Sequence, residues 1–213
     1  FYLREPAEER CHIGQMRIRV DQNESTLLLI RGHGQRFRLE GRTSEFGQVM
    51  LGQRDFPWLM ARNGVVFVGE PDDAVKPKSP LAFVNGLLLE RARFAVLAVS
   101  GLSASPAALE ALIRVKEEEP QAGVRTLIVS PAEEKSGIAV RLEYGVSANF
   151  PSRIRVEGIP QNVQVEVESW QIDAPVSAQV FDPPADKPRK VVSREDLYRM
   201  YGAVVNFLAE MAP

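Results

Sequence analysis

The sequence predicts a mainly β fold with some α: a strongly curved antiparallel sheet, an open half barrel, covered by helices and followed by a C-terminal helix. Three observations carry this. Apolar and polar residues alternate with period two in two long stretches, which puts every second side chain on one sheet face. Short polar or glycine-containing reversals separate these stretches at hairpin spacing. Helix-opening Ser-Pro pairs interrupt the middle, and a capped apolar stripe closes the chain.

The elements follow in order. Met16, Ile18 and Val20 alternate with Arg17, Arg19 and Asp21, and Asp21–Glu24 is a turn-like polar cluster. Ser25 to Arg31 reads as the next strand, and Gly32-His33-Gly34 reverses the chain into Arg36-Phe37-Arg38-Leu39. Asn63-Gly64, between Pro57–Arg62 and Val65–Gly69, is the dipeptide a type I′ hairpin favours, since both central residues need positive φ. Ser79-Pro80 opens a short helix to about Leu89, and Ser105-Pro106 opens another over Ala107–Glu119, with Pro120 and Gly123 as its stop. Arg93–Val99 fits either a strand or a buried helical turn.

Alternation returns at Leu127/Val129, Ile138/Val140/Leu142/Tyr144, Ile154/Val156 and Val163/Val165/Val167, with a reversal at Gly158–Asn162. Pro183-Pro184 begins an extended linker. Ser193-Arg194-Glu195-Asp196 then caps a helix whose stripe is Leu197, Met200/Tyr201, Val204/Val205, Leu208 and Met211. About nine antiparallel strands result. The domain reading is 1–184 for the half barrel and 185–213 for the linker and terminal helix.

Composition narrows the function. The chain has 213 residues, 45% of them hydrophobic, ample for one core. Basic and acidic residues number 26 and 28, so no polybasic surface for nucleic acid is implied. One Cys makes no internal disulfide, and two His leave little for imidazole or metal chemistry. No apolar run is long enough to span a membrane. The chain opens on Phe1-Tyr2-Leu3, so a signal peptide or lipid anchor would lie upstream of this sequence.

The reactive candidates are few. Cys11-His12 are neighbours, but adjacent strand residues point to opposite faces, so neither activates the other. His33 between two glycines reads as a turn residue. Glu117-Glu118-Glu119 and Asp72-Asp73 read as solvated runs rather than acid–base pairs. Arg17, Arg19, Arg36 and Arg38 form a cationic stripe for an anionic head group or partner, or else the polar face of a sheet. Phe56, Trp58, Leu59 and Met60 are a large apolar cluster just before a hairpin.

The C-terminal half carries a resemblance. Leu127-Ile128-Val129-Ser130-Pro131, Asn149-Phe150-Pro151-Ser152-Arg153-Ile154, Ser169-Trp170-Gln171-Ile172-Asp173-Ala174-Pro175 and Val180-Phe181-Asp182-Pro183-Pro184 follow one order. A strand ends in Leu-x-x-Pro, a strand is linked to x-x-Pro-x-x-Ile, and a loop closes with Phe before proline. In this the chain resembles the LolA/LolB-like superfamily of bacterial envelope proteins, which includes LppX/LprG and RseB-like members, over about residues 13 to 184. The resemblance implies helices lying across the concave side of a half barrel, an envelope location and an apolar cavity for acyl chains. The long N-terminal helix usual in the family is missing or shortened, and Ser193–Met211 has no counterpart. Phe56–Met60 is the candidate counterpart of the protruding LolB loop, and no single lid or hook residue is transferred.

The expectation is therefore a non-enzymatic protein, periplasmic or an outer-membrane lipoprotein facing the periplasm, needing no cofactor and no metal. It would bind a lipid or the acyl chain of a lipoprotein, for transport or chaperoning to the outer membrane. The cavity residues would be Ile18, Leu29, Phe37, Leu39, Trp58, Phe67, Val140, Leu142, Val165 and Val167, gated by the central helices. The alternative is an envelope sensor or assembly module of the same fold with a closed core and a protein partner.

Overall fold

The computed structural model describes residues 5–43, 47–62, 64–71, 113–132, 137–160 and 162–210. These form one open sheet of twelve strands: β1 Arg10–Val20, β2 Asn23–Gly32, β3 Phe37–Thr43, β4 Gly47–Gln53, β5 Pro57–Met60, β6 Val66–Gly69, β7 Ile113–Gln121, β8 Val124–Pro131, β9 Ala139–Gly145, β10 Arg153–Glu157, β11 Val163–Pro175 and β12 Arg189–Val192. The order across the sheet is β12-β6-β5-β4-β3-β2-β1-β11-β10-β9-β8-β7. Two antiparallel meanders are thus joined along the long pair β1/β11, and only β12 runs parallel to its neighbour. A single α-helix, α1 Arg194–Glu210, is found among the described residues.

The alternating segments form strands as the sequence predicts, and the hairpin after β5 turns at Gly64, φ +73°. Two expectations need correction. The helix over Ala107–Glu119 is, from Ile113 onward, the edge strand β7. Its β-branched Ile113 and Val115 alternate with Arg114 and Lys116, and Ala122-Gly123, both at positive φ, make the two-residue reversal into β8. The extended linker after Pro183-Pro184 ends in a strand, since Arg189–Val192 adds to β6. The covering helices expected at Ser79–Leu89 and over Ser105–Leu112, like Arg93–Val99 and Asp72-Asp73, lie outside the described residues, among which the α-helix is the C-terminal one.

Strand register defines two faces. On the front, Gly14, Leu29, Leu39, Leu51, Leu59 and Phe67 form one continuous row across β1 to β6. In the other direction Ile18, Val165, Ile154, Leu142 and Leu127 form a second row across β1, β11, β10, β9 and β8. The helix α1 sits on the front of the β3–β6 end, packing Leu197, Tyr198 and Tyr201 on Phe37, Leu51 and Leu59. Its start is fixed by Ser193, whose Oγ accepts the Asp196 N–H at 3.1 Å and donates to the Asp196 carboxylate at 2.6 Å.

Strands β4 and β5 are buried on both faces, which is why Pro57-Trp58-Leu59-Met60 is an unbroken apolar run. Leu59 meets α1 on the front, while Trp58 packs with Met50, Met60 and Val66 on the back. The run is therefore an interior strand and not a protruding loop.

Trp58 lies so close over its strand partner that a Cβ at Gly52 would come within 2.6 Å of the ring. From the front, the Tyr201 hydroxyl reaches the same pair. It accepts the Trp58 N–H at 3.0 Å and stands 2.5 Å and 2.7 Å from the Gly52 and Trp58 carbonyls. Burial holds the Tyr201 phenol well above its ordinary pKa, so the hydroxyl keeps the proton it donates.

Tyr201→Phe leaves a buried backbone N–H without its acceptor and should cost about 1–3 kcal/mol; Gly52→Ala should cost a similar amount by overpacking the indole. Urea titration checks both. Conversely, Ala122 carries an L side chain at φ +49°. Ala122→Asn should leave the protein as stable or up to about 1 kcal/mol more stable, because Asn tolerates that backbone region, and the urea midpoint would show it.

Candidate functional site

The front face beyond α1 is the candidate site. Its centre is a buried cluster of Met16, Leu29, Val129, Val140, Leu142, Tyr144, Ile154 and Val165. Partly buried Ile18, Leu27, Leu39, Leu127, Val167 and Trp170 pack around it. Pairwise register brings Ile18, Leu29, Leu39, Phe67, Leu142 and Val165 to this face, and Phe37, Val140 and Val167 lie two residues along from members of the same rows. Phe37 and Phe67 belong to the part under α1. Trp58 stands apart. It occupies the back, fully buried, with its indole N–H donated to the Phe181 carbonyl at 2.7 Å.

Period-two reading misses Trp170 because β11 is irregular. The β1/β11 register shifts between Gln15 and Met16, so Glu168 is an extra residue and Trp170 returns to the face of Val163, Val165 and Val167. Gly14 opposite makes room: a Cβ there would collide with the Trp170 ring. Phe150 flanks the indole with ring centroids 6.0 Å apart. A three-residue step, Val167 to Trp170, opposite a strand glycine was the available signal.

The back face from β2 to β7 is a charge lattice. Arg17 pairs with Glu168 at 2.6 Å, and Arg19 with Glu24 at 2.9 Å and Glu166 at 3.2 Å. Further along, Arg141 bridges Glu118 and Glu157, and Arg153 meets Glu143. Arg38 holds Glu40 at 2.7 Å and the Val180 carbonyl at 2.9 Å. Arg17, Arg19 and Arg38 are therefore neutralised by neighbours and form no open cationic stripe. Such exposed pairs add little stability, with a median near 0–1 kcal/mol; they keep one side of the sheet wet.

The reactive candidates are placed individually. Cys11 is fully buried beside Ile30 and Phe181, and burial pushes its thiol up to about 11. His12 is buried, and its Nδ1 accepts the Asp173 N–H at 3.2 Å, tying the second irregularity of the β1/β11 pair. His33 is exposed, with Nδ1 3.0 Å from the Pro6 carbonyl. No group of three metal-ligating side chains occurs among the described residues, and no described helix is long and apolar enough to cross a membrane.

No protein-family model and no curated protein sequence matches the chain. Solved structures do. An uncharacterized conserved protein from Thermus thermophilus is similar over 86% of this chain and 91% of its own, at 10% identity and a TM-score of 0.49. MucB, in the MucA/MucB complex of Pseudomonas aeruginosa, is similar over 86% of this chain at 10% identity and a TM-score of 0.44. The chain spans 60% of that MucB chain's length. A Vibrio parahaemolyticus domain named for outer membrane lipoprotein sorting is similar over 83% of this chain and 91% of its own, at 10% identity and a TM-score of 0.33. The chain's structural neighbours thus include MucB and a domain named for outer membrane lipoprotein sorting.

Proposed function

We propose that this protein is a non-enzymatic component of the bacterial cell envelope that holds an acyl chain, of a lipid or a lipoprotein, against the front of its sheet. The carrying observation is the continuous apolar face that extends past the end of α1, ringed by partly buried Ile18, Leu27, Leu39, Leu127, Val167 and Trp170. Such a face offers no directional chemistry. Its affinity would come from burial of methylenes, at roughly 0.8 kcal/mol for each CH₂. The charge lattice behind it supports the same reading, because it keeps the opposite side of those strands in water. The envelope placement rests on the resemblance of the sequence to envelope carriers and regulators, and transport or chaperoning toward the outer membrane is the task that placement gives to acyl binding.

Native mass spectrometry of gently purified protein, with titration of a fluorescent fatty acid, tests this. Bound lipid or saturable uptake is expected. Ile18→Asn and Val167→Asn, each checked for an unchanged circular dichroism spectrum, should weaken uptake by about tenfold or more. Arg19→Gln on the back should leave it unchanged. A lipid-free protein that takes up no fatty acid would instead favour the interaction module with a closed core and a protein partner.

A further inference from the structure

Away from the front face, a groove of about 520 Å³ opens at one end of the sheet. Three segments wall it: Glu9-Arg10 at the start of β1, His33 and Arg36 from the β2–β3 connection, and Pro175–Ala178 with Phe181 after β11. Its volume lies in the range of small-molecule sites, about 300–1,000 Å³. Arg10 and Arg36 outnumber Glu9 among the lining residues, so the lining is cationic.

These cations differ from those of the back-face lattice. The Arg36 guanidinium has no hydrogen-bond or ion-pair partner among the described residues, and Arg10 gives one N–H, at 2.8 Å, to the Asp173 carbonyl. The Ser177 hydroxyl accepts the Gln179 N–H at 3.3 Å and retains its own proton for donation. The loops that carry them are tied down. Gly32 N–H bonds the Arg36 carbonyl at 2.9 Å, Gly34 N–H the Glu5 carboxylate at 2.6 Å, and Arg10 N–H the Ala7 carbonyl at 3.0 Å. The Glu5 carboxylate engaged by that bond lies 3.6 Å from the His33 Nδ1. Val176, Ala178 and Phe181 supply an apolar wall.

We propose that this groove binds a small organic phosphate monoester, with Arg10, Arg36 and Ser177 donating to the phosphate and Val176 and Phe181 receiving the short organic part. Guanidinium forks and a hydroxyl donor suit a multiply charged oxyanion, and the site stands whether or not the front face takes an acyl chain.

Amide chemical-shift titration of the whole chain with glycerol 3-phosphate, inorganic phosphate and glycerol tests it. Glycerol 3-phosphate should move the Gly34 and Ser177 amides with saturation in the millimolar range, and glycerol should move neither. Arg36→Gln and Arg10→Gln should each weaken binding by about tenfold, as loss of a charge-assisted hydrogen bond would. Arg42→Gln, an exposed arginine outside the groove, should leave binding unchanged. Inorganic phosphate moving the same amides would also support the site, with the anion alone recognised. Shifts that are absent, scattered over other arginines, or unaltered by Arg36→Gln would overturn it.

Discussion

The architecture depends on the pair Gly52/Trp58, where β4 meets β5. A sheet has two faces, and each must be told what covers it. Here both answers converge on one rung. The indole packs closely on Gly52 from the back and donates its N–H to the Phe181 carbonyl, while Tyr201 reaches the backbone of the same two residues from the front. The helix α1 and the segment after β11 are therefore referenced to one point, although Phe181 and Tyr201 are separated by a further strand, β12. Any side chain larger than hydrogen at Gly52 would lift the indole, and the hydroxyl of Tyr201 is the polar group that lets a helix sit on buried backbone without leaving a donor unmet.

That arrangement explains which parts of the fold could be read from the sequence. Strands with one wet face announce themselves, as in Met16-Arg17-Ile18-Arg19-Val20, because water selects every second residue. Pro57–Met60 is dry on both faces, so its pattern carries no phase, and Trp58 is indistinguishable from Leu59 until pairing with Gly52 sends it to the back. Ile113–Gln121 fails for the opposite reason. It is an edge strand, mostly exposed, and its Glu-rich composition imitates the polar side of a helix. Ser193 and its stripe were legible because capping is local chemistry, whereas the addition of Arg189–Val192 to β6 is a long-range event with no local mark.

Within the candidate site, the rows across the sheet show the same division. Ile18, Val165 and Leu142 were recoverable one strand at a time, since each lies in a clean alternation. Trp170 was not, because one inserted residue reverses the phase of everything after Val167. The irregularity has a use. It swings the largest side chain of β11 onto the apolar face, against Gly14 and Phe150, while leaving Glu168 at the back to bind Arg17 and Gln15. One extra residue thus serves both faces.

An open sheet also has two terminal strands to manage, and their residues fit that task. Among the described residues β7 and β12 each pair on one side only, and an unpaired strand edge is a template for adding another chain. Strand β7 carries Glu117-Glu118-Glu119-Pro120 just before its last residue, and β12 is preceded by Lys187-Pro188 and begins Arg189-Lys190. Charge and proline at both ends oppose stacking of further strands. The acidic run, which the sequence reads as solvated, is explained by this position, with Glu117 and Glu118 tied to Arg125 and Arg141. Protected edges allow the sheet to stay open, and its two sides are then told apart by chemistry, a buried apolar cluster in front and paired charges behind. Acyl binding would draw on the first and leave the second in water.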